Sequence, residues 1–168
     1  RFNAGGSGGW IVNNSWGNGW GGTCGFVAER GYFYIAYGSA SIGKYSSFMN
    51  SWMDWDSDGE VLSWDEGGWS SNWGYDDLEG WGLCKFVMPG TAYLTNVEVW
   101  TNDITTDIDV YVYDDFNGTS LSNLLESKLN SSFAEAGYHS IALDTPPEVT
   151  VGEDIFVAVK FVNTTYTY

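Results

Sequence analysis

Apolar or β-branched residues fall on alternate positions in several short stretches: Tyr93, Thr95, Val97 and Val99, then Ile108, Val110 and Val112, then Ile155, Val157, Val159 and Phe161. A period of two turns one side of a strand toward a core and the other toward water, so each stretch predicts a half-buried strand. A further aromatic run from Gly31 to Tyr37 also reads as a strand. Between these runs lie Asn117-Gly118, Pro146-Pro147 and Gly152-Glu153, the residue types that tight turns require. Their short, repeated spacing after about residue 85 predicts an antiparallel β-sandwich of the jelly-roll kind. Helical periodicity is nearly absent; the one candidate helix is Ser120 to Leu129. The fold class is therefore mainly β. Aromatic strand gives way to small polar residues near Gly38 to Lys44, which predicts two parts, residues 1–43 and 44–168.

Composition narrows the function. The chain has 168 residues, enough for one ordinary domain with a real core. Aromatic residues make up 18 % and charged residues 17 %, which excludes a disordered acidic tail. A net charge of -16 repels phosphate backbones and excludes nucleic acid as a partner. The apolar run Ile155 to Val159 stops at Lys160, far short of the roughly 20 residues of a membrane-spanning helix. Two cysteines, Cys24 and Cys84, allow one disulfide and no four-cysteine zinc site. Pairing would mark an extracellular or cell-surface protein; two buried thiols are the alternative. The start at Arg1 reads as a mature or cleaved product.

Acidic residues are concentrated from Asp54 to Glu79, with no Lys or Arg between Lys44 and Lys85. Within that stretch Asp54, Asp56, Asp58, Gly59, Glu60 and Asp65 follow the spacing of a calcium loop. Alternate carboxylates converge on one hard cation, and Gly59 permits the sharp bend between them. Calcium is the expected cofactor, and a solvated acidic loop is the alternative. Weaker acidic sets are Asp76, Asp77 and Glu79, and Asp107, Asp109 and Asp114. Sequons at Asn117, Asn130 and Asn163 offer glycosylation sites; a fourth, at Asn13, is expected to be buried.

The most specific segment runs from Trp10 to Gly21, Trp-Ile-Val-Asn-Asn-Ser-Trp-Gly-Asn-Gly-Trp-Gly, and is followed by Gly31-Tyr32-Phe33-Tyr34-Ile35. Asn14 stands at a strand end, where its amide oxygen can hold an imidazole N–H without adding a full negative charge. Patterning alone favours a Gly-rich hairpin with core tryptophans. The ordered string closely resembles the C-terminal part of the papain family of cysteine peptidases. In that family the Asn of Asn-Ser-Trp-Gly orients the catalytic histidine, and the Trp after it shields their hydrogen bond. The resemblance thus implies Asn14 as orienter and Trp16 as shield, with Ser15 and Trp20 in support. The insertion from Gly22 to Arg30 is longer than the usual loop.

The family's nucleophile sits in a Gly-x-Cys-Trp setting upstream of its His and Asn. Neither Cys24 nor Cys84 has that setting, and the only histidine, His139, falls in a late predicted strand. The chain is therefore expected to be inactive alone and to depend on the upstream part that supplies Cys and His, either a separate upstream peptidase chain or a preceding stretch missing from this sequence. A protein or peptide would be the substrate.

The remainder, about Lys44 to Tyr168, resembles the lectin-like β-domain that follows the peptidase domain in some secreted or surface bacterial and archaeal papain-like proteases. The resemblance rests on Val61 to Trp69, Trp81-Gly82, Val110 to Tyr113, Gly137 to Leu143 and Gly152 to Val159. It implies a cell-surface or glycan partner through shape only, since no residue set along the sequence is assignable to a sugar. The combined expectation is the C-terminal portion of an extracellular cysteine endopeptidase with a lectin-like accessory domain. The alternative is a non-catalytic, calcium-stabilised binding or surface-structural module.

Overall fold

A computed structural model describes residues 8–21, 30–39, 41–42, 48–50, 52, 54, 56–64, 71, 74–165 and 167. All regular structure among them is β, and the chain divides into two compact units, Arg1–Asp54 and Trp55–Tyr168. The first unit holds β1 (Gly9–Asn13) and β2 (Tyr32–Ala36), paired antiparallel with Trp10 opposite Ile35 and Val12 opposite Phe33. Gly9 lies so close to β2 that an added Cβ would stand 2.6 Å from the Ile35 carbonyl oxygen.

The second unit contains β3 (Glu79–Val87), β4 (Ala92–Tyr93), β5 (Asn96–Thr101), β6 (Asp107–Phe116), β7 (Leu121–Ser132), β8 (Gly137–Ala142), β9 (Glu148–Val149) and β10 (Asp154–Val162). Four of them form one antiparallel sheet in the order β3-β10-β6-β7, while β5 pairs with β8 and β4 with β9. The predicted alternation is realised: Ile108, Val110 and Val112 of β6 and Ile155, Val157 and Val159 of β10 are buried. They pack in one cluster with Val97 and Val99 of β5 and Ile141 of β8. Two layers thus enclose one core, as a sandwich-like fold requires.

Leu62 packs against the same core, and Trp64 stacks on Phe86 with ring centroids 6.4 Å apart. The indole N–H of Trp64 also donates to the Lys85 carbonyl at 2.8 Å. This bond occupies a main-chain group of β3, an outer strand of its sheet, where exposed carbonyls invite unwanted pairing.

The candidate helix from Ser120 to Leu129 is overturned, because these residues lie almost wholly in β7. Its leucines do not share one buried face: Leu125 packs against the core, while Leu124 and Leu129 are exposed. The register against β6 slips between Ile108 and Val110 and again between Val112 and Tyr113, and each slip adds a residue to β7. Asn123 and Asn130 there have positive φ, which Asn tolerates better than most residues. The Asn117 side chain closes the turn into β7, with Oδ1 accepting the Thr119 and Ser120 backbone N–H groups at 3.0 and 2.9 Å. Nonlocal pairing with β6 therefore overrides the local helical spacing.

At one end of the sandwich the Thr106 hydroxyl donates to Asn163 Oδ1 at 2.6 Å. Asn163 is only 3 % exposed and its amide nitrogen is buried, so this sequon is removed from the acceptors accessible on the folded chain. Asn117 and Asn130 are both exposed. Asn13 is exposed too, contrary to the expectation of burial, and its amide reaches the Tyr32 hydroxyl at 3.4 Å.

Candidate functional site

Asn14 follows the last residue of β1 and is fixed by both ends of its amide. Its backbone N–H and its Nδ2 donate to the same Gly31 carbonyl, at 2.9 and 2.6 Å. Its Oδ1 accepts the Trp16 backbone N–H at 2.5 Å. These partners dictate which amide atom is oxygen and which is nitrogen. A carbonyl oxygen has two acceptor positions, so one position on Oδ1 remains for a further donor.

The local sequence explains this geometry. Gly31 has φ +92°, a conformation that side-chain-bearing residues rarely adopt, and its N–H donates to the Trp20 carbonyl at 2.8 Å. The Trp20 N–H in turn donates to the Gly17 carbonyl at 3.3 Å, which closes the Trp/Gly turn. Trp16 stands edge-to-face on Trp20 at 5.5 Å, and Trp20 on Phe33 at 5.7 Å. Ser15 is exposed within the turn, and Trp16 is 74 % exposed.

Both faces of the β1–β2 pair carry apolar side chains, with Asn13 opposite Tyr32 at the end of the second. Trp10, Val12, Phe33 and Ile35 share one face by register, and Ile11 and Tyr34 share the other, with Ile11 and Tyr34 both exposed. Strands that are apolar on both faces belong in the interior of a larger sheet domain, and an isolated two-stranded ribbon is marginally stable in water.

The remaining candidates are dispersed. The only histidine, His139, belongs to the second unit, where its ring stacks on Phe133 at 3.8 Å and its Nε2 lies 2.9 Å from the Glu135 carbonyl oxygen. It is held by packing within the sandwich. Cys84 is exposed on β3, and Cys24 lies outside the described residues, as does Asp65. Asp54, Asp56, Asp58 and Glu60 are exposed. Asp56 forms a tight local turn, accepting the Asp58 N–H on Oδ1 at 2.9 Å and the Gly59 N–H on its carbonyl at 3.2 Å. Among the described residues no three His, Cys, Asp or Glu side chains gather as ligands for a metal ion. The bend at Gly59 is present in this turn, while Asp65 of the set lies outside the described residues. Elsewhere, hydrogen bonds from the backbone and then the side chain of Thr105 hold the exposed Asp103 carboxyl below the usual aspartate range.

One group escaped the sequence reading. On the outward face of the four-stranded sheet, Trp81 of β3 stacks with Tyr111 of β6 at 5.8 Å, and Tyr111 with Tyr113 at 6.5 Å. The available signal was that Tyr111 and Tyr113 alternate with the buried Val110 and Val112, which forces both rings outward.

Among the described residues no helix is long and apolar enough to cross a membrane. Comparison with known sequences finds a match to the family described as "Lectin like domain" over residues 61–168. No curated protein and no solved structure matches the chain. The match begins at the segment that packs Leu62 and Trp64 against the sandwich and includes every strand of the second unit. Since it spans more than half of the sequence, the chain belongs to the lectin-like domain family.

Proposed function

We propose that this chain is the C-terminal portion of an extracellular papain-like cysteine endopeptidase, with the lectin-like sandwich as its accessory domain and its partner at the cell surface. The observation that carries this reading is the Asn14 amide: fixed at both ends, with one acceptor position to spare, on a ribbon apolar on both faces. Such a ribbon fits the interior of a peptidase sheet, and such an amide fits the task of holding a histidine.

In this role Asn14 Oδ1 accepts an imidazole N–H from the upstream part of the enzyme. That bond sets the tautomer and direction of the ring, so that the other ring nitrogen faces the thiol. Bound Gly31 and Trp16 keep the amide from turning, which spares the histidine the entropy of finding its orientation. The exposed Trp16 indole covers the Asn–His bond on assembly, where exclusion of water strengthens it. The thiolate that attacks the peptide carbonyl and the histidine that moves the proton belong to the upstream chain. A Gly-x-Cys-Trp peptide and a downstream His should be present in native material, on a separate chain or upstream on the same polypeptide; the absence of both would count against the reading.

The loop with Asp54, Asp56, Asp58, Glu60 and Asp65 is proposed to take calcium, supported by its spacing and by the bend at Gly59. A ligand that binds only the folded chain raises the melting temperature. Removing calcium with a chelator at fixed ionic strength is expected to lower the melt by several degrees, with recovery on adding calcium back. An unchanged melt would refute the calcium site.

A further inference from the structure

Two Asn-Gly pairs stand in exposed turns, Asn18-Gly19 in the Trp/Gly turn and Asn117-Gly118 between β6 and β7. In such a pair the glycine nitrogen is one ring closure from the asparagine Cγ, and no side chain on the second residue crowds the attack. The two pairs are alike in sequence and differ in structure. Asn18 Oδ1 accepts no hydrogen bond from any described residue. Asn117 Oδ1 accepts three, from the Thr119 N–H at 3.0 Å, the Thr119 hydroxyl at 2.9 Å and the Ser120 N–H at 2.9 Å. The Asn117 N–H donates to the Ser120 carbonyl at 3.2 Å and fixes the turn around that oxygen. Gly118 has φ +94°, its N–H is bonded to none of the described residues, and a Cβ added there would meet nothing within 4 Å.

We infer that Asn117 is a site of self-modification, at which the Gly118 nitrogen closes on Asn117 Cγ and solvent water opens the resulting succinimide. The Gly118 N–H gives its proton to hydroxide, and the freed electron pair forms the bond to Cγ. Negative charge then gathers on Oδ1, where donors already aimed at that oxygen stabilise a tetrahedral adduct more than the starting amide. The Cγ–Nδ2 bond breaks, and the nitrogen leaves as ammonia after taking a proton from water. Water next adds to one of the two imide carbonyls and cleaves its bond to the Gly118 nitrogen. Cleavage at Cγ gives aspartate at position 117, and cleavage at the main-chain carbonyl gives isoaspartate. No oxidation or reduction occurs, and water is the one co-reactant.

The two products act differently on the fold. Aspartate keeps the turn, because a carboxylate oxygen accepts the same three donors more strongly than a neutral amide does. Isoaspartate adds a methylene to the main chain between Phe116 and Leu121, which pair across the turn, and so disturbs the closure of β6 on β7. Either product also ends the sequon at Asn117, since the nitrogen that would carry a glycan is the one expelled. Glycosylation and conversion therefore compete for one atom. The site is independent of Asn14 and of the proposed function.

Incubation of the 168-residue chain, made without glycosylation, in mildly alkaline buffer tests the site, with peptide mapping by mass spectrometry and electron-transfer fragmentation to separate isoaspartate from aspartate. In the folded chain Asn117 should lose its amide roughly tenfold faster than Asn18 or more, through donors that Asn18 lacks. In urea, where both turns are lost, the two rates should converge. Both aspartate and isoaspartate should form at position 117. Thr119→Val removes the hydroxyl donor and keeps the N–H, so it should slow conversion at Asn117 several-fold and leave Asn18 unchanged, at a melting temperature matching the parent chain. Should that variant fail to fold, the comparison of folded chain with urea decides alone. Equal conversion of the two residues in the folded chain, faster conversion of Asn117 in urea than in the folded chain, or an undiminished rate in folded Thr119→Val would overturn the inference. Aspartate without isoaspartate would overturn the ring closure, and an unconverted Asn117 would overturn the site.

Discussion

Asn14→Ala in the assembled peptidase is expected to lower kcat by about 10²- to 10⁴-fold while KM changes little, the range spanned by losses of general-base function and of histidine orientation in other catalytic triads. The histidine would remain, but without an acceptor its ring samples orientations in which neither nitrogen faces the thiol. The substitution also removes the bonds to Gly31 and Trp16, so a purely structural role must be separated from orientation. Asn14→Asp makes that separation, since it keeps an oxygen toward the imidazole and adds a negative charge beside it. A neighbouring carboxylate favours the protonated ring and raises its pKa, so the alkaline limb of kcat/KM should move to higher pH. A merely structural Asn14 would lower the amount of folded enzyme and leave the limb in place. Full activity of Asn14→Ala would refute the assignment.

In the sandwich the largest loss of stability is expected at Ile108, which is 0 % exposed within a four-stranded sheet and packs in the common core. Ile108→Ala removes buried methyl groups and leaves a cavity, at a cost of about 2–5 kcal/mol. Against the roughly 5–15 kcal/mol that holds a typical domain together, that is a large fraction. Leu129, 48 % exposed on β7, provides the contrast. Leu129→Ala should change stability by no more than about 0.5 kcal/mol, as for an exposed position outside the core. In a helix running from Ser120, the leucines would instead share one buried face and Leu129 would cost as much as Ile108. Urea unfolding of the two variants decides between these pictures, and equal losses would contradict the strand.

The strands that alternate cleanly were legible because burial on one face imposes a period of two, as in Ile108-Val110-Val112 and Ile155-Val157-Val159. β7 was not, because two bulges break its register against β6 and interrupt the period of two along it. Sheet order was hidden for a different reason. β10 pairs with both β3 and β6, contacts between segments far apart in the sequence, and local patterning carries no record of them. The same distance hid the outward ring group: Trp81 and Tyr111 meet only across β10. The Asn14 motif was legible because its parts, the strand, the Trp/Gly turn and Gly31, are joined by short-range hydrogen bonds. What the sequence could not supply was the state of the acidic turn, where spacing fixes the bend at Gly59 and leaves the convergence of carboxylates undetermined.

Labelling native material with an epoxysuccinyl probe for active-site thiols, followed by peptide mapping, tests the central claim most directly. The account predicts that the label falls on the cysteine of a Gly-x-Cys-Trp peptide, upstream on the same polypeptide or on a chain present in equal amount with this one, and that Asn14→Ala slows the labelling. No labelled Gly-x-Cys-Trp peptide, or labelling unaffected by Asn14→Ala, would contradict it.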